Sequence, residues 1–458
     1  MTRISFLFLL FSVVIYSCKK DEGVNQSALA PPYIDTLEGI ISSDRVLQEN
    51  ADYLLKGQVF VQNASLTIPK GVTIYVEKAD SASNKGSLVV LPGAKLFVNG
   101  TAQEPVLFTS AATEKVPGDW GALVILGKAP INTKTLKVPG IDNKLANCGG
   151  NDKDDDSGSI HFLRLAYCGG LNEKGEDEWA LDKVSGLCLG AVGAKTMLDH
   201  VMVSYSRDDA FQFFGGNVGA KYLIAYNSGD DDYDFDHGYQ GNLQFIVSYR
   251  NSAGDRALRA NGIESLNDAD ASGRTPFTHP VISNATIIGP SNSATNTNLN
   301  QGVYIRKNTR FSIYNSIVAN YPQGGLMVCN RTRPLLMESH QSTFKFNLVY
   351  CEDNTRSFTW DHNGQEVSLD KVLADPELTS FATSQDNRNR VIETLSTLKL
   401  SSVFPQSGPP QLGLLSDSPA FSGAEFSESK LNDFFDRVPF RGAIGTDDWT
   451  ATDWVKWD

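Results

Sequence analysis

Short apolar phrases separated by polar turns recur along this chain. The clearest three are VMVSYS from Val201, YLIAYNS from Tyr222 and QFIVSYR from Gln244. Their tyrosines, Tyr205, Tyr226 and Tyr249, are 21 and 23 residues apart. A β-rich unit that returns about every 22 residues is typical of a solenoid, in which each repeat is one coil and the strands stack in parallel.

The same rhythm extends on both sides of these three phrases. Earlier apolar runs such as Leu66–Val76 and Ser87–Val98 contain Pro-x-Gly or Pro-Gly turns, which suit a chain that changes direction every few residues. Later runs carry an asparagine, as at Asn315 and Asn347, and we interpret these asparagines as structural residues that hydrogen-bond along a stack of corners. The pattern predicts an all-β, right-handed parallel β-helix over residues 54–352, after a lead-in at 18–53.

The rhythm is lost after residue 352. We interpret residues 353–458 as a cap with accessory structure, because the open end of a solenoid must be covered. Within it, residues 367–373 and 427–435 have patterns compatible with short helices, the second with Leu431, Phe434 and Phe435 on one side.

Acidic residues follow the three central phrases. Stacked coils place equivalent residues only about 4.8 Å apart, so recurrent acids form a ladder of negative charge. Calcium, which takes six to eight oxygen ligands, is one way to relieve such repulsion. The candidate calcium ligands are Asp208, Asp209, Asp230, Asp231 and Asp232.

Two other interpretations of the ladder remain open. Arg207, Arg250, Arg256 and Arg259 could pair with the acids, or the aspartates, Asp255 among them, could simply cap turns and face water. The same segment supplies the candidate ligand-binding side chains, which are Tyr233, Asp234, Asp236, His237, Arg250 and Arg256.

Three further features carry weaker signals. In the segment 151–158, Asp152, Asp154 and Asp156 alternate as calcium-loop ligands do, but the glycine comes one place late, which favours an ordinary acidic loop. His237 could be a general base beside the acids, although a histidine in a Gly-flanked turn is more often structural. Trp360 could be a platform on which a sugar stacks.

The first residues predict export and lipidation. Arg3 precedes an apolar run that is too short to span a bilayer and fits a signal peptide at residues 1–17. The small residue Ser17 directly before Cys18 resembles the lipobox of bacterial lipoproteins, which implies that Cys18 is acylated and becomes the new N-terminus. The following Lys19-Lys20-Asp21-Glu22 is similar to a surface-export signal. We therefore expect a lipid anchor in the outer membrane, with the protein facing outward.

Charge and cysteine content narrow the possibilities. The formal net charge is −13, and removing residues 1–17 takes away only Arg3 among charged residues, which makes it −14. Such a surface disfavours nucleic acid and favours cations. The cysteines after Cys18 form two groups, Cys148, Cys168 and Cys188 and then Cys329 and Cys351, with spacings of 20, 20 and 22 residues that are close to one coil. A Cys329–Cys351 disulfide and a ladder of buried thiols are therefore both open. Without CxxC, HxH or HExxH motifs, a zinc or redox centre is not expected.

Several motifs together resemble a family of Bacteroidetes lipoproteins with a right-handed parallel β-helix. They include Gly118-Asp119-Trp120-Gly121, Cys148-Gly149-Gly150-Asn151-Asp152, Asp208-Asp209-Ala210-Phe211, Asp230-Asp231-Asp232-Tyr233-Asp234 and Phe440-Arg441-Gly442-Ala443-Ile444-Gly445. The resemblance covers nearly the whole mature chain and implies the fold and the lipid anchor. It implies no established activity.

Carbohydrate chemistry is the remaining expectation. Asp208-Asp209 is similar to the Asp-Asp of polygalacturonases, but no companion Asn-Thr-Asp or Gly-His-Gly element occurs in the chain. Two adjacent aspartates on a strand point to opposite sides, so they are not by themselves an acid/base pair. We therefore expect non-catalytic binding of a glycan or another extracellular polymer along the β-helix. The alternatives are a calcium-dependent polysaccharide lyase, a glycoside hydrolase, or a structural protein of the envelope.

Overall fold

The structure is a computed structural model, which describes residues 33–78, 86–141, 144–145, 147–170, 184–251, 260–291, 301–361 and 373–457. Nearly all of its regular elements are strands. In chain order the strands and helices are β1 (Asp35–Ile41), β2 (Arg45–Val46), β3 (Asp52–Val61), β4 (Ser65–Pro69), β5 (Thr73–Val76), β6 (Ser87–Val90), β7 (Lys95–Asn99), β8 (Val106–Ser110), β9 (Leu123–Leu126), β10 (Leu136–Lys137), β11 (Asn147–Cys148), β12 (Gly158–Ala166), β13 (Leu187–Gly190), β14 (Met197–Ser204), β15 (Phe211–Phe214), β16 (Ala220–Tyr226), β17 (Tyr233–Asp236), β18 (Asn242–Tyr249), β19 (Ile263–Ser265), β20 (Val281–Ile288), β21 (Val303–Ile305), β22 (Ser312–Tyr314), β23 (Ile317–Ala319), β24 (Leu326–Cys329), α1 (Arg333–Met337), β25 (Thr343–Lys345), β26 (Leu348–Tyr350), β27 (Phe358–Asp361), β28 (Leu373–Ala374), α2 (Pro376–Ala382), β29 (Arg390–Val391), β30 (Leu400–Ser402) and β31 (Gln411–Leu414).

Each long strand pairs in parallel with the strand one coil further along the chain. On one side of the solenoid β12, β14, β16, β18 and β20 follow one another, and on another side β9, β13, β15, β17, β19, β21, β24 and β27 do so. The connected sheet contains 27 of the described strands, and β27–β28 is its antiparallel pair. The predicted fold, a right-handed parallel β-helix, is confirmed. The stacked strands run from Asp35 to Val391, beyond both ends of the predicted range 54–352.

The predicted coil length of about 22 residues holds for some coils, among them those at the centre of the solenoid. There the register steps by 22 residues from Val201 to Leu223 and by 23 from Leu223 to Ile246, close to the predicted repeat of about 22. The next step, from Ile246 to Ala285, is much longer. Insertions at the corners lengthen the outer coils while the strand register is kept, because a loop can grow without disturbing the ladder.

The interior is a set of columns of inward-facing side chains. Leu187, Phe211, Tyr233 and Ile263 are register partners in successive coils, and all four are buried. The rings of Phe211 and Tyr233 stack at 5.1 Å between centroids. Side chains alternate across a strand, so the residues next to this column face outward.

The corners are turned by residues with left-handed backbone. Phe162, His200, Tyr222 and Phe245 have φ between 51° and 57° and occupy one corner of successive coils. Their rings stack at 4.3 Å, 4.5 Å and 5.1 Å. Further along the stack Asn284 and Asn315 hold the same conformation, which asparagine tolerates better than most side chains, and Phe346 holds it in the next coil.

The asparagine corners have the structural role that the sequence predicted. The backbone at Asn315 has φ 53°, and its Nδ2 donates to Ser283 Oγ at 3.1 Å in the preceding coil. Asn347 Nδ2 donates to Ile313 O and to Asn389 Oδ1 at 3.1 Å and 3.0 Å. These bonds satisfy backbone and side-chain groups between coils.

The C-terminal region does more than close the end of the solenoid. Leu378 and Ala382 of α2 join the main core, but residues from 434 onward lie along the flank formed by β14, β16, β18 and β20. There Lys221 Nζ pairs with Asp436 Oδ2 at 2.7 Å. The helix predicted at 427–435 is wrong, since the segment forms turns, although Leu431 and Phe435 are buried. Residues 367–372 lie outside the described residues.

The tyrosines of the three repeated phrases are not all register partners. Tyr226 pairs with Tyr249, but the register partner of Tyr226 in the coil before is Ser204, not Tyr205. Tyr226 and Tyr249 are each about 1% exposed, because the C-terminal residue Trp457 packs against both rings. These tyrosines therefore do not share a solvent-facing surface with the acidic ladder.

The five cysteines of the described residues are free thiols, and all are buried. Cys329 Sγ lies 3.4 Å from Thr332 Oγ1, while Cys351 Sγ donates to Arg356 O at 3.9 Å. The structure therefore matches the thiol-ladder interpretation, not a Cys329–Cys351 disulfide. Burial raises the pKa of the Cys168 and Cys351 thiols to about 12, which makes both poor nucleophiles. In the described ranges there is no helix with the length and apolarity needed to cross a membrane.

Candidate functional site

The acidic residues gather on the flank formed by β13, β15, β17 and β19. Cys188, Gln212, Asp234 and Glu264 are register partners in successive coils and stand next to the inward column, so they face outward. Gln212 Nε2 donates to Asp234 Oδ2 at 3.0 Å. Parallel stacking thus converts positions that are a whole coil apart in sequence into direct neighbours.

A second group of acids comes from the turns that precede β15 and β17. Asp208, Asp209 and Asp230 each bring one carboxylate oxygen within 4.8 Å of the other two. The turns are held by hydrogen bonds: Asp231 N donates to Asp209 Oδ1 at 3.0 Å, and Ser185 Oγ donates to Asp209 Oδ2 at 3.1 Å. Three of the five candidate calcium ligands therefore lie close together.

Apart from Cys188, both groups line one small cleft of about 60 Å³. Its side chains are Pro139, Asp208, Asp209, Gln212, Phe214, Asp230, Asp231, Asp234, Asp236, Glu264 and Leu266. Among the described residues that line the cleft, seven are carboxylic acids and none is a lysine or an arginine. Arg306 approaches from outside the lining, with Nη2 2.9 Å from Glu264 Oε2. The cleft is therefore strongly negative.

The negative charge of the cleft strongly affects the carboxyl group of Asp231. Burial raises its pKa well above the usual value, and the negative charges of Glu264, Asp230, Asp209 and Asp234 raise it further. Its Oδ1 accepts from Asn261 N at 2.6 Å, which fixes the carboxyl group in place. A carboxyl group in such surroundings either keeps a proton at neutral pH or requires a nearby cation.

The group Asp208, Asp209 and Asp230 fits a calcium ion. Calcium holds oxygens at about 2.3–2.6 Å, so two oxygens on opposite sides of one ion are up to about 5 Å apart. The oxygens of these three residues, within 4.8 Å of one another, meet that limit. Three carboxylates supply three to six of the oxygens that calcium needs, which leaves positions for water or a ligand.

Asp232 and Arg250 do not belong to the cleft, which corrects the prediction for both residues. Their side chains are fully buried, and Arg250 Nε lies 3.0 Å from Asp232 Oδ2. The guanidinium also donates to the carbonyl oxygens of Ser228, Asp230 and Asn261 at 2.6–2.9 Å. The arginine-pairing interpretation therefore holds for Asp232, whereas Asp230 and Asp231 line the cleft.

Tyr233 is also an interior residue and not a ligand-binding one. It is 0% exposed, and its hydroxyl donates to Val247 O at 2.9 Å. The strand YDFD alternates, so Tyr233 and Phe235 face inward while Asp234 and Asp236 face the cleft.

His237 lies at the edge of the flank as a structural residue. Burial lowers its pKa to about 4, so the imidazole is neutral at physiological pH. Its backbone has φ 48°, its ring packs on Phe214 at 5.5 Å, and its carbonyl oxygen accepts from Asn132 N. Nε2 is 3.9 Å from Asp236 Oδ2, beyond hydrogen-bond distance. The structural interpretation of this histidine is the one that the geometry supports.

The other candidates are dispersed. In the loop 151–158, Asp152 Oδ1 accepts from Asp154 N and Asp156 pairs with Lys95, so these acids serve turns and ion pairs and do not converge. Trp360 is half-buried, with the Arg333 guanidinium 5.0 Å from its ring centre. Arg256, Asp255, Arg259 and Cys18 lie outside the described residues.

Sequence reasoning missed Gln212 and Glu264. Neither belongs to an acidic run, so no local pattern marks them. What identifies them is their position, because each is an outward-facing residue of a short strand and is the register partner of Asp234. Aligning FQFF, YDFD and IES by their alternation would have placed all three on one face.

The comparison with protein-family models agrees with this architecture. A family model described as a pectate-lyase-like β-helix domain matches residues 39–389. The chain belongs to this family.

The matched residues include the whole acidic flank of this pectate-lyase-like β-helix. Among solved structures, the crystal structure of Dettilon tailspike protein (gp208) is similar at 9% identity and a TM-score of 0.26, covering 68% of this chain and 57% of the tailspike. No curated protein sequence matches the chain.

Proposed function

We propose that this protein binds an extracellular polysaccharide on the acidic flank, with Ca²⁺ on Asp208, Asp209 and Asp230, and does not cleave it. The observation that carries the proposal is the convergence of three carboxylates within 4.8 Å at the edge of a cleft lined by further acids. Membership of the pectate-lyase-like β-helix family supports a polysaccharide as the partner.

Each group of side chains has a separate part in this binding. A bound calcium ion would offset the charge of the three aspartates and leave coordination positions for oxygens of the polymer. Gln212, Asp234 and Glu264 form a polar column along the flank, and their amide and carboxylate groups can hydrogen-bond sugar hydroxyls. Since the column runs along the solenoid axis, it suits an extended chain of sugars.

A second candidate function is polysaccharide cleavage by a lyase or a hydrolase. The raised pKa of Asp231 favours it, since a carboxyl group protonated at neutral pH can act as a general acid beside ionised neighbours. Against it, Asp231 Oδ1 is engaged with Asn261 N and the side chain is largely buried. A purely structural envelope role, the third alternative, requires neither a ligand nor a product.

We also propose that the mature chain is anchored through acylated Cys18 in the outer membrane and faces outward. The support is the signal-like run before Cys18 and the Lys19-Lys20-Asp21-Glu22 stretch after it. An outward position would bring the flank into contact with extracellular polymers.

One screen tests the proposed function. The purified protein is applied to polymers of uronic acids and to neutral polysaccharides, in calcium and in chelator, with retention and product release measured on the same samples. Calcium-dependent retention without unsaturated or reducing ends supports binding, and Asp209→Asn should weaken it while Asp154→Asn should not. Product release that is lost in Asp231→Asn would establish the enzyme instead. If no polymer retains the protein and no product is released, a structural role is the remaining hypothesis.

A further inference from the structure

A second and much larger cavity lies in the C-terminal region. Its volume is about 780 Å³, within the range of about 300–1,000 Å³ that is typical of small-ligand sites. It opens between the hairpin of β30 and β31 and the segment 446–457. The acidic cleft lies on the flank of β15, β17 and β19, whereas this cavity adjoins Trp457, which packs on Tyr226 and Tyr249 of β16 and β18.

The walls of this C-terminal cavity are fixed by the fold. Leu414 N donates to Gly445 O at 3.0 Å, which ties the hairpin to the final segment. On the other side, Tyr226 Oη donates to the carbonyl oxygen of Trp457 at 2.7 Å. The indole ring also packs against Tyr226 and Tyr249, with ring centroids 5.2 Å and 5.6 Å apart and ring planes at 85° and 80°. Trp457, Leu414 and Val455 therefore form a preformed apolar wall.

Three polar side chains stand around this wall. Asp448 Oδ1 is used internally, since it accepts from Thr450 N at 2.9 Å and from the Thr450 hydroxyl. Asp448 Oδ2 lies toward Gly413, where an added Cβ would be 3.7 Å from it. Within the described ranges, Oδ2 and the exposed side chains of Gln411 and Lys456 have no hydrogen-bond partner in the protein.

The charges of the cavity select a neutral ligand. Among the described residues that line it, Asp448 and Lys456 are the charged ones, and their formal charges cancel, although the whole chain carries −13. A wholly apolar ligand would bury both charges unpaired, which is costly. A sugar combines an apolar C–H face, which packs on an aromatic ring, with hydroxyls that bind carboxylate, amide and ammonium groups.

We propose that the C-terminal cavity binds a neutral oligosaccharide, with Trp457 as the stacking surface and Asp448, Gln411 and Lys456 as the hydrogen-bonding groups. This site is separate from the acidic flank and needs no calcium.

Calorimetric titration of the purified full chain with neutral cello-, xylo- and manno-oligosaccharides, in chelator, tests the proposal. At least one series should bind. Asp448→Asn keeps an oxygen that can accept from Thr450 but removes the negative charge. We expect the affinity for the oligosaccharide to fall about tenfold or more, as for loss of a hydrogen bond to a charged group. Lys456→Met should weaken binding similarly. Asp447→Asn, on the same turn but outside the cavity lining, is the matched control and should bind as the unmodified protein does.

The outcomes also separate this site from the acidic flank. Oligosaccharide binding that persists in Asp209→Asn but falls in Asp448→Asn supports the C-terminal cavity. This conclusion does not depend on whether the acidic flank binds a polysaccharide. Absence of binding by every neutral series at millimolar concentration overturns the proposal, and so does binding that Asp448→Asn, Lys456→Met and Trp457→Ala leave unchanged. Melting curves show whether each variant is folded. If Trp457→Ala does not fold, the titration of Asp448→Asn still decides the test.

Discussion

Asp232 and Arg250 form an ion pair in the interior of the solenoid, with Nε and Oδ2 3.0 Å apart and both side chains fully buried. Ser228 and Ser248 hydroxyls also bond the carboxylate, and three carbonyl oxygens accept from the guanidinium. The pair therefore connects the turn before β17 to the end of β18. It also directs Asp232 away from the cleft that Asp231 lines.

Removing one partner of this pair should destabilise the protein strongly. Arg250→Met leaves Asp232 as an uncompensated buried charge, a change that typically costs about 3–5 kcal/mol. Thermal unfolding should show the loss as a clear fall in Tm. The double variant Asp232→Leu with Arg250→Met should recover part of it, because no lone charge remains.

The exposed pair of Arg274 and Asp270 is the matched control for this test. Its nitrogen and oxygen are 3.1 Å apart, but the side chains are 51% and 69% exposed. Such a pair contributes at most about 1 kcal/mol, so Asp270→Asn should scarcely change Tm. Equal effects of the two single variants would contradict a special role for the buried pair.

The sequence was a good guide to the solenoid and a partial guide to the site. The phrases around Val201, Leu223 and Ile246 set the coil register, because apolar alternation and spacing are local signals. They could not show that coils elsewhere gain insertions. They also could not show that Tyr226 and Tyr249 would be covered by Trp457, which comes from the far C-terminal end of the chain. Such coverage is a long-range packing event without a periodic signature.

The acidic run shows the same limit at the level of single residues. Asp230, Asp231 and Asp232 are consecutive in sequence but lie in three different surroundings. Asp230 is one of the three converging aspartates, Asp231 is hydrogen-bonded in the wall of the cleft, and Asp232 is in the core. Side chains in a turn take directions that depend on each backbone angle, so composition alone cannot separate them. Gln212 and Glu264 show the converse, since only the strand register places them beside Asp234.

Acid should destabilise the fold partly through His237. Its pKa is about 4 in the folded protein because of burial, against 6.5 for the unperturbed group. The unfolded chain therefore binds more protons than the folded chain between these values, and stability falls as the pH drops from about 6.5 to about 4. His237→Gln should flatten the dependence of Tm on pH in this window. NMR titration of the imidazole should show a midpoint near pH 4, and a midpoint above pH 6 would contradict the prediction.

Asp231 should act in the opposite direction, from its unfolded pKa of 3.8 upward. Its raised pKa means that the folded protein holds a proton that the unfolded chain has released, so this group favours folding less as the pH rises through the unfolded value. In chelator, Asp231→Asn should therefore gain stability relative to the unmodified protein at neutral pH and lose that advantage at low pH. Equal Tm differences at both pH values would show that the carboxyl group is ionised in the folded state.

Replacing Cys18 with alanine should release the protein from the membrane. The lipobox-like residues before Cys18 predict acylation of its thiol, and alanine has no group to acylate. Fractionation should then find a soluble or unprocessed form in place of a membrane-bound one. Cys168→Ala, at a buried position in the solenoid, is the matched control and should leave the protein with the membrane. If the Cys18 variant still partitions fully with membrane lipoproteins, the anchor proposal is wrong.

Calcium should stabilise the fold through the three converging aspartates. An ion that binds only the folded state adds RT ln(1 + [L]/Kd), about 2.7 kcal/mol at a hundredfold excess over Kd. For a chain of this length we expect a rise of a few degrees in Tm. Asp209→Asn removes one ligand and should shrink the rise. Asp154→Asn, in the acidic loop whose carboxylates do not converge, should leave it unchanged.

Sodium at equal ionic strength separates coordination from screening. Screening relieves any cluster of like charges, whereas coordination requires a small divalent ion with six to eight oxygen ligands. Calcium should therefore raise Tm well beyond sodium in the unmodified protein, and the two salts should act alike in Asp209→Asn. In chelator, the same variant should melt slightly higher than the unmodified protein, because it loses one of three repelling charges 4.8 Å or less apart. Identical melting curves in millimolar calcium and in chelator would leave the acids without a metal, and the flank would then bind its polymer through hydrogen bonds alone.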